Sequence, residues 1–282
     1  MAVKILIDSA SDITQEEANK LGINVIPLQV RFDEEEYLDG INLSPKEFYD
    51  KLIEQDTLPK TSQVTPFRYQ EEFERLTKNG DSLIVITLSS KLSNTYNSAV
   101  LASYDFMDKV YVVDSLNATA GERVLALYAK RLIDKGLDVK DIVEKLNSVK
   151  SKIKLLAIVD TLEYLKKGGR ISKATAFAGE LFNIKPVISL IDGEVKLVGK
   201  ARGSRKANNL LHELIEKSGG IDFSMPYTTL YSGLSDAMLK KYIEDEKELW
   251  EGNTKDVPIQ TVGSTIGTHV GPGAIGVVFF AK

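Results

Sequence analysis

The chain of 282 residues contains no cysteine. That excludes disulfides, thiolate nucleophiles and zinc–thiolate sites, and it fits a reducing cytoplasm. Histidine is scarce as well. His212 and His269 are the only two, so a multi-histidine metal centre is out of reach and no metal is expected. A net charge of −4 leaves no basic excess of the kind that binds nucleic acid through its phosphates. No apolar run has the length of a membrane span, so membrane contact is at most transient. The first residues, MAVKILID, already read as a strand, and no signal peptide is expected. Phosphate-loop and kinase motifs are missing. Gly271-Pro272-Gly273-Ala274-Ile275-Gly276 matches GxGxxG in form only. The dinucleotide fingerprint opens a helix, whereas here a strand, Val277 to Phe280, follows at once.

What is present is the composition of a globular protein, 43% apolar and 27% charged. Apolar strands at Val3–Ile7, Leu83–Thr87 and Val110–Val113 alternate with helical patterns, and Ile23–Val30 is a further extended run. Ser44-Pro45-Lys46-Glu47 is a capping box with proline at the first helical position. This rhythm predicts an open, largely parallel α/β sheet over residues 1–154. Glu34-Glu35-Glu36 reads as a solvated turn. From Lys154 the pattern changes. Asp192-Gly193 between two extended runs signals a hairpin, and mixed connections follow, so residues 155–282 are expected to form a second, α+β domain. A helix is expected over Asp236–Trp250. The glycine-rich stretch before Ala274 reads as a loop.

Chemistry concentrates at the ends of the predicted strands. Leu83–Thr87 runs into Ser89, Ser90, Ser93, Asn94 and Thr95, where a helix begins. Unpaired N–H groups and hydroxyls at that point suit a small anion, and a plain serine N-cap accounts for the same residues. Asp8-Ser9 and Asp114-Ser115 end neighbouring strands, as does Thr61-Ser62 if a short strand precedes it, and ligands gather along such an edge. Asp8 has two readings, a phosphoryl-accepting nucleophile or a loop cap. His269, in the predicted loop with Ser264, Thr265 and Thr268, either meets an anion or faces solvent. Arg170 and Arg202 read as surface residues on their own pattern, and His212 as structural.

Taken in order, these pieces resemble the DegV family of bacterial fatty-acid-binding proteins. The resemblance rests on Asp8-Ser9, Lys60-Thr61-Ser62-Gln63, Leu88 to Tyr96, Val113-Asp114-Ser115, Asp160 to Ile171, Lys185-Pro186 and Gly267 to Gly273, and it spans the whole chain. It implies a two-domain protein that buries one long-chain fatty acid, such as palmitate, stearate or oleate, between its domains, without catalysis and without another cofactor. It also implies a separate fatty acid kinase subunit, to which the carboxylate is presented for acyl-phosphate formation and phospholipid synthesis. The matching positions make Thr61 and Ser93 carboxylate ligands, with Asn94 and His269 beside them. Ser62, Ser115, Arg170 and Arg202 are further head-group or partner contacts. Asn94 stands where the family usually has glycine, so its side chain is expected to crowd the head group. A transferable carboxylate needs donors more than a charge clamp, which two hydroxyls and helix N–H groups satisfy. A sixteen-carbon tail supplies about 12 kcal/mol of gross burial, less the costs of association. The charge-poor segment Ala174–Ile184 has two readings, one wall of the tunnel or a plain core helix. Two alternatives stay open: an Asp8-dependent phosphotransferase or hydrolase, and a lipid-sensing module without a kinase.

Overall fold

The computed structural model describes residues 2–55, 57–172 and 183–282. Two sheets carry the molecule. The first is built from β1 (Val3–Asp8), β2 (Asn24–Ile26), β6 (Ser82–Thr87) and β7 (Val110–Asp114), all parallel, in the order β2-β1-β6-β7. Its central strands are apolar without alternation because helices cover both faces. Ile5, Ile7, Ile84 and Ile86 point into one core, and Leu6, Leu83 and Val85 into another.

The second sheet has six strands and mixed pairing. It comprises β8 (Ile153–Ile158), β9 (Ile184–Ile191), β10 (Glu194–Arg202), β11 (Thr228–Tyr231), β12 (Ile259–Thr261) and β13 (Ile275–Phe280), ordered β10-β9-β8-β13-β11-β12. Asp192 and Gly193 turn the β9–β10 hairpin with φ of 52° and 82°, the doubly positive geometry that the dipeptide predicts. The helix Ala120–Asp134 lies between the sheets. Its Val124, Leu125 and Ala129 share one core with Ile5 and Ile84 of the first sheet and with Leu155, Val278 and Phe280 of the second.

Several expected elements differ. Ile23–Val30 is not one strand: Pro27, which has no N–H to donate, separates β2 from β3 (Gln29–Phe32). The latter joins a small antiparallel sheet with β4 (Glu35–Leu38) and β5 (Lys60–Ser62). The acidic run therefore turns at Asp33, at φ 48°, and continues as an exposed edge strand. The helix expected over 236–250 breaks at Glu246, whose carboxylate meets His212 Nδ1 at 2.6 Å.

The glycine-rich loop before β13 is a helix, Ser264–Val270. Its N-terminus is capped by carboxylates from far along the chain. Asp39 accepts from the N–H groups of Ser264 (3.2 Å) and Thr265 (3.4 Å) and from Ser264 Oγ (2.5 Å), while Asp12 accepts from Gly263 N–H (2.9 Å). The segment Ala174–Ile184, read as tunnel wall or core helix, lies outside the described residues apart from Asn183 and Ile184.

Candidate functional site

The loop from Leu88 to Asn94 is held by three acceptors from the ends of two neighbouring strands, β1 and β7 with the turn that follows it. Leu88 N–H donates to Asp8 Oδ2 (2.8 Å), Ser89 N–H to the Asn117 carbonyl (2.7 Å) and Ser90 N–H to Asp114 Oδ1 (3.2 Å). Ser93 ends this loop. Its Oγ lies 2.9 Å from Thr95 Oγ1 and accepts from Thr95 N–H at 3.2 Å, at the mouth of the helix Thr95–Ser103. Opposite it stands Thr61 on β5, with Oγ1 2.9 Å from His269 Nε2. Three separate elements thus bring a serine, a threonine and a histidine together.

His269 is neutral. Burial, reinforced by the Arg170 cation, pushes its pKa down to about 4. Nδ1 is buried without a partner and faces Gly168, where a Cβ would come within 2.3 Å of it. Arg170 spans the same corner, donating through Nε to the Leu92 carbonyl (3.2 Å) and through a terminal nitrogen to the Gly168 carbonyl (2.6 Å).

Behind these groups lies a cavity with about 730 Å³ of empty space, part of it open to solvent. Thr61, Ser62, Ser93, Arg170 and His269 line its polar end. Its body is apolar, with Leu28, Leu88 and Leu92 from the first half and Leu155, Ile188 and Val195 from the second. The β9–β10 hairpin tip closes one side, where Ser89 Oγ donates to the Gly193 carbonyl at 2.7 Å. Outside the polar end is a vestibule lined by Thr61, Ser62, Ser93 and Asn94, with Lys91 and Arg170 and no carboxylate among the described residues.

The remaining residues singled out in the sequence fall elsewhere. Asn94 caps its helix at φ −79° and ψ 6°, a conformation that needs no glycine. Its side chain turns outward to Asn97 (2.6 Å) and so does not crowd the polar end. Ser115 is buried and braces the turn at Asn117, accepting from its N–H at 3.0 Å, outside the cavity lining. Arg202 is exposed on β10 and lines neither the cavity nor the vestibule. Asp8 is fully buried, and its oxygens accept from Ala10 and Leu88 N–H groups. Burial raises its pKa to about 7. A phosphoryl acceptor must be reached by its substrate, so the nucleophile reading gives way to the cap. Asp39 and Gly168 carried no signal in the sequence beyond turn-forming dipeptides.

Comparison with known proteins settles the family. A family model described as "Uncharacterised protein, DegV family COG1307" matches residues 2–282. The chain belongs to the DegV family. A DegV domain-containing protein of Caldanaerobacter subterraneus is 36% identical over 285 residues, covering 99% of both chains. Among solved structures, a DegV family protein from Thermus thermophilus, described by its fatty acid binding, has a TM-score of 0.89 at 30% identity with both chains fully covered. A stearic acid-binding protein from Eubacterium ventriosum has a TM-score of 0.86 at 26% identity, covering 99% of this chain and 97% of its own. Among the described residues, no helix is long and apolar enough to cross a membrane, and no cluster of acidic, histidine or cysteine side chains could hold a metal ion.

Proposed function

We propose that this DegV protein binds one long-chain fatty acid in the apolar cavity, with its carboxylate between Thr61 and Ser93, and presents it to a separate fatty acid kinase. One observation carries this reading: an apolar cavity that ends on two hydroxyls beside a neutral imidazole. A carboxylate there gains donors without a direct charge clamp, so it keeps its nucleophilicity. The tautomer of His269 matters. With the proton on Nε2, the ring donates to Thr61 Oγ1 and leaves the threonine O–H free for the ligand. The opposite tautomer turns that O–H toward the ring and away from the ligand, while Nδ1 is left without a partner in either form. The Nε2–H form is therefore the working one, and His269 aligns Thr61.

The vestibule supports presentation rather than turnover. It opens directly on Ser93 and offers Lys91 and Arg170 to an incoming anionic group. Among the described residues of the lining, no side chain is held by a base as an activated nucleophile, which favours a carrier; the lack of cysteine fits a carrier that works in the cytoplasm. We place the division between its two units at 154/155, next to the start of the second sheet at Ile153. Protein purified from cells should retain fatty acid, seen by native mass spectrometry. Thr61→Ala with Ser93→Ala removes two charge-assisted hydrogen bonds and should weaken binding about a hundredfold while the circular dichroism stays unchanged. Wild-type affinity in that variant would remove the site. A lipid-sensing module without a kinase differs in one readout: no acyl phosphate forms when a fatty acid kinase and ATP are added to the loaded protein.

A further inference from the structure

One face of the helix Ser264–Val270, made by Thr265, Ile266, His269 and Val270, lines the apolar cavity. The other positions are committed elsewhere. Ser264 Oγ donates to Asp39 (2.5 Å), Thr268 Oγ1 donates to the Ser264 carbonyl (2.9 Å), and Gly267 packs against Phe48 and Tyr49. On the cavity face, Ile266 and Val270 are apolar and His269 meets Thr61. Thr265 is the exception. It is only 3% exposed, and its Oγ1 is buried without a hydrogen-bond partner among the described residues. Its position explains why. A threonine within a helix can donate to the carbonyl four residues back, as Thr268 does, but Thr265 stands in the first turn, where no helical carbonyl lies behind it. Asp39 accepts from the Thr265 N–H (3.4 Å), yet its oxygens already take the hydroxyls of Ser9 and Ser264. An unpaired buried hydroxyl costs stability, and a plain hydrocarbon tail gains nothing from it.

We infer that Thr265 makes the cavity selective for an acyl chain that carries a hydroxyl group about five carbons from its carboxylate. This rests on the carrier reading above and adds to it the class of acid carried. Thr265 and His269 are four residues apart on one helix face, so their Cβ atoms lie about 6 Å from each other. His269 reaches Thr61 at the polar end, and the vestibule outside that end is lined by neither. From there the helix runs inward to an N-terminus anchored on the buried Asp12 and Asp39. Thr265 therefore lies one turn deeper than the head group, a distance that an extended chain covers in about five carbons. A chain hydroxyl at that depth can both donate to Oγ1 and accept from it, and threonine on a helix takes either of two χ1 rotamers, so Oγ1 can turn to meet it. Nothing else in the body of the cavity competes for that group. Thr119 has its own hydroxyl on Asp12 (2.5 Å), and Leu155, Ile188 and Val195 offer no partner.

Titration calorimetry of the delipidated full chain tests this with three probes: hexadecanoate, 5-hydroxyhexadecanoate and 12-hydroxyhexadecanoate. Each added hydroxyl must leave water. The 12-hydroxy acid, with no partner in the cavity, should bind about tenfold or more weakly than hexadecanoate, while one enantiomer of the 5-hydroxy acid, paired with Thr265, should match or exceed it. Thr265→Val keeps the shape and removes the hydroxyl. It should bring the 5-hydroxy acid down to the level of the 12-hydroxy acid, bind hexadecanoate no more weakly, and raise the urea midpoint of the ligand-free protein. Thr265→Ser, which keeps the hydroxyl, should keep the preference. Equal weakening of both hydroxy acids in the wild type would overturn the inference, and so would a preference that survives Thr265→Val. Wild-type protein that binds none of the three would overturn the carrier reading and this inference with it, whereas hexadecanoate bound without discrimination between the hydroxy acids would overturn this inference alone.

Discussion

The imidazole of His269 has its two nitrogens in unlike settings, one on Thr61 Oγ1 and one buried against Gly168, and burial with the nearby Arg170 cation acts against the charged form. Its pKa of about 4 lies below the 6.5 of an ordinary histidine. Between those values the unfolded chain takes up a proton that the folded chain refuses. The contribution of the neutral ring is therefore complete above pH ~6.5 and is lost as the pH falls toward 4, by about 3 kcal/mol. Asp8 works in the opposite sense. Raised by burial from 3.8 to about 7, it keeps a proton that the unfolded chain has released, so its contribution is complete below about 4 and fades as the pH rises to 7. The two slopes overlap in the wild type, and a variant separates them. In urea titrations, the stability difference between wild type and His269→Gln should shrink by about 3 kcal/mol from pH 7 to pH 4. A difference that does not move with pH would show that the ring is not held neutral. Gly168 tests the same corner sterically. Its φ of −73° suits any residue, so Gly168→Ala adds no strain in φ and acts by pushing a methyl group into the His269 ring, 2.3 Å from Nδ1, and more mildly against the Tyr164 carbonyl at 3.1 Å. It should cost about 1–3 kcal/mol and weaken fatty-acid binding by displacing the partner of Thr61. Unchanged affinity in a ligand titration would mean that the ring steps aside without disturbing the threonine.

Among the elements, the legible ones state their environment locally. Leu83-Ile84-Val85-Ile86 is apolar at every position because helices cover both faces of β6, and Asp192-Gly193 turns its hairpin by backbone preference alone. Ser44-Pro45-Lys46-Glu47 forms both reciprocal bonds of the capping box. Ser93 could be singled out because hydroxyls past the end of a parallel strand are informative; Thr61 is reached through the motif Lys60–Gln63, since it sits inside β5 of the small antiparallel sheet rather than at the end of a parallel strand. The illegible elements depend on partners remote in sequence. Ser264–Val270 looks like a loop because glycines interrupt its pattern and no residue nearby caps it; its caps are Asp39 and Asp12, more than two hundred residues away. β5 exists through its pairing with β3, where Val30 meets Thr61. The effect of Asn94 hinged on a backbone angle that sequence does not reveal. Asp39→Ala should therefore act at a distance. With two helix N–H groups and two hydroxyls losing their acceptor, the protein should lose about 2 kcal/mol or more. Amide exchange at Ser264–His269 should rise more than in β6. Uniform acceleration along the chain would argue against a local capping role.

At the scale of the whole molecule, each sheet has a core of its own on its outer face, and the two share the core that lies between them. Ile5 and Ile84 of one sheet and Leu155 and Phe280 of the other meet across the helix Ala120–Asp134, and the cavity takes its walls from both halves. A chain of this length often divides into domains that unfold in turn, but a shared core removes the stable intermediate, since releasing either sheet strips the helix of half its apolar cover. Trp250, the only tryptophan, is buried with Leu156, Val277 and Phe279 on the outer face of the second sheet, so its fluorescence reports on that half alone. Far-UV circular dichroism reports on both. The two denaturation curves should coincide, and bound fatty acid should shift them together, by about 2.7 kcal/mol at a free concentration one hundred times the dissociation constant. Two separated transitions, with ligand moving only one, would show that the shared core does not couple the halves and that the tail rests on one of them. Coincident curves would show that no state with one sheet released is populated, which leaves the walls of the cavity, such as the hairpin tip that Ser89 holds at Gly193, as the part that can move while the sheets stay joined.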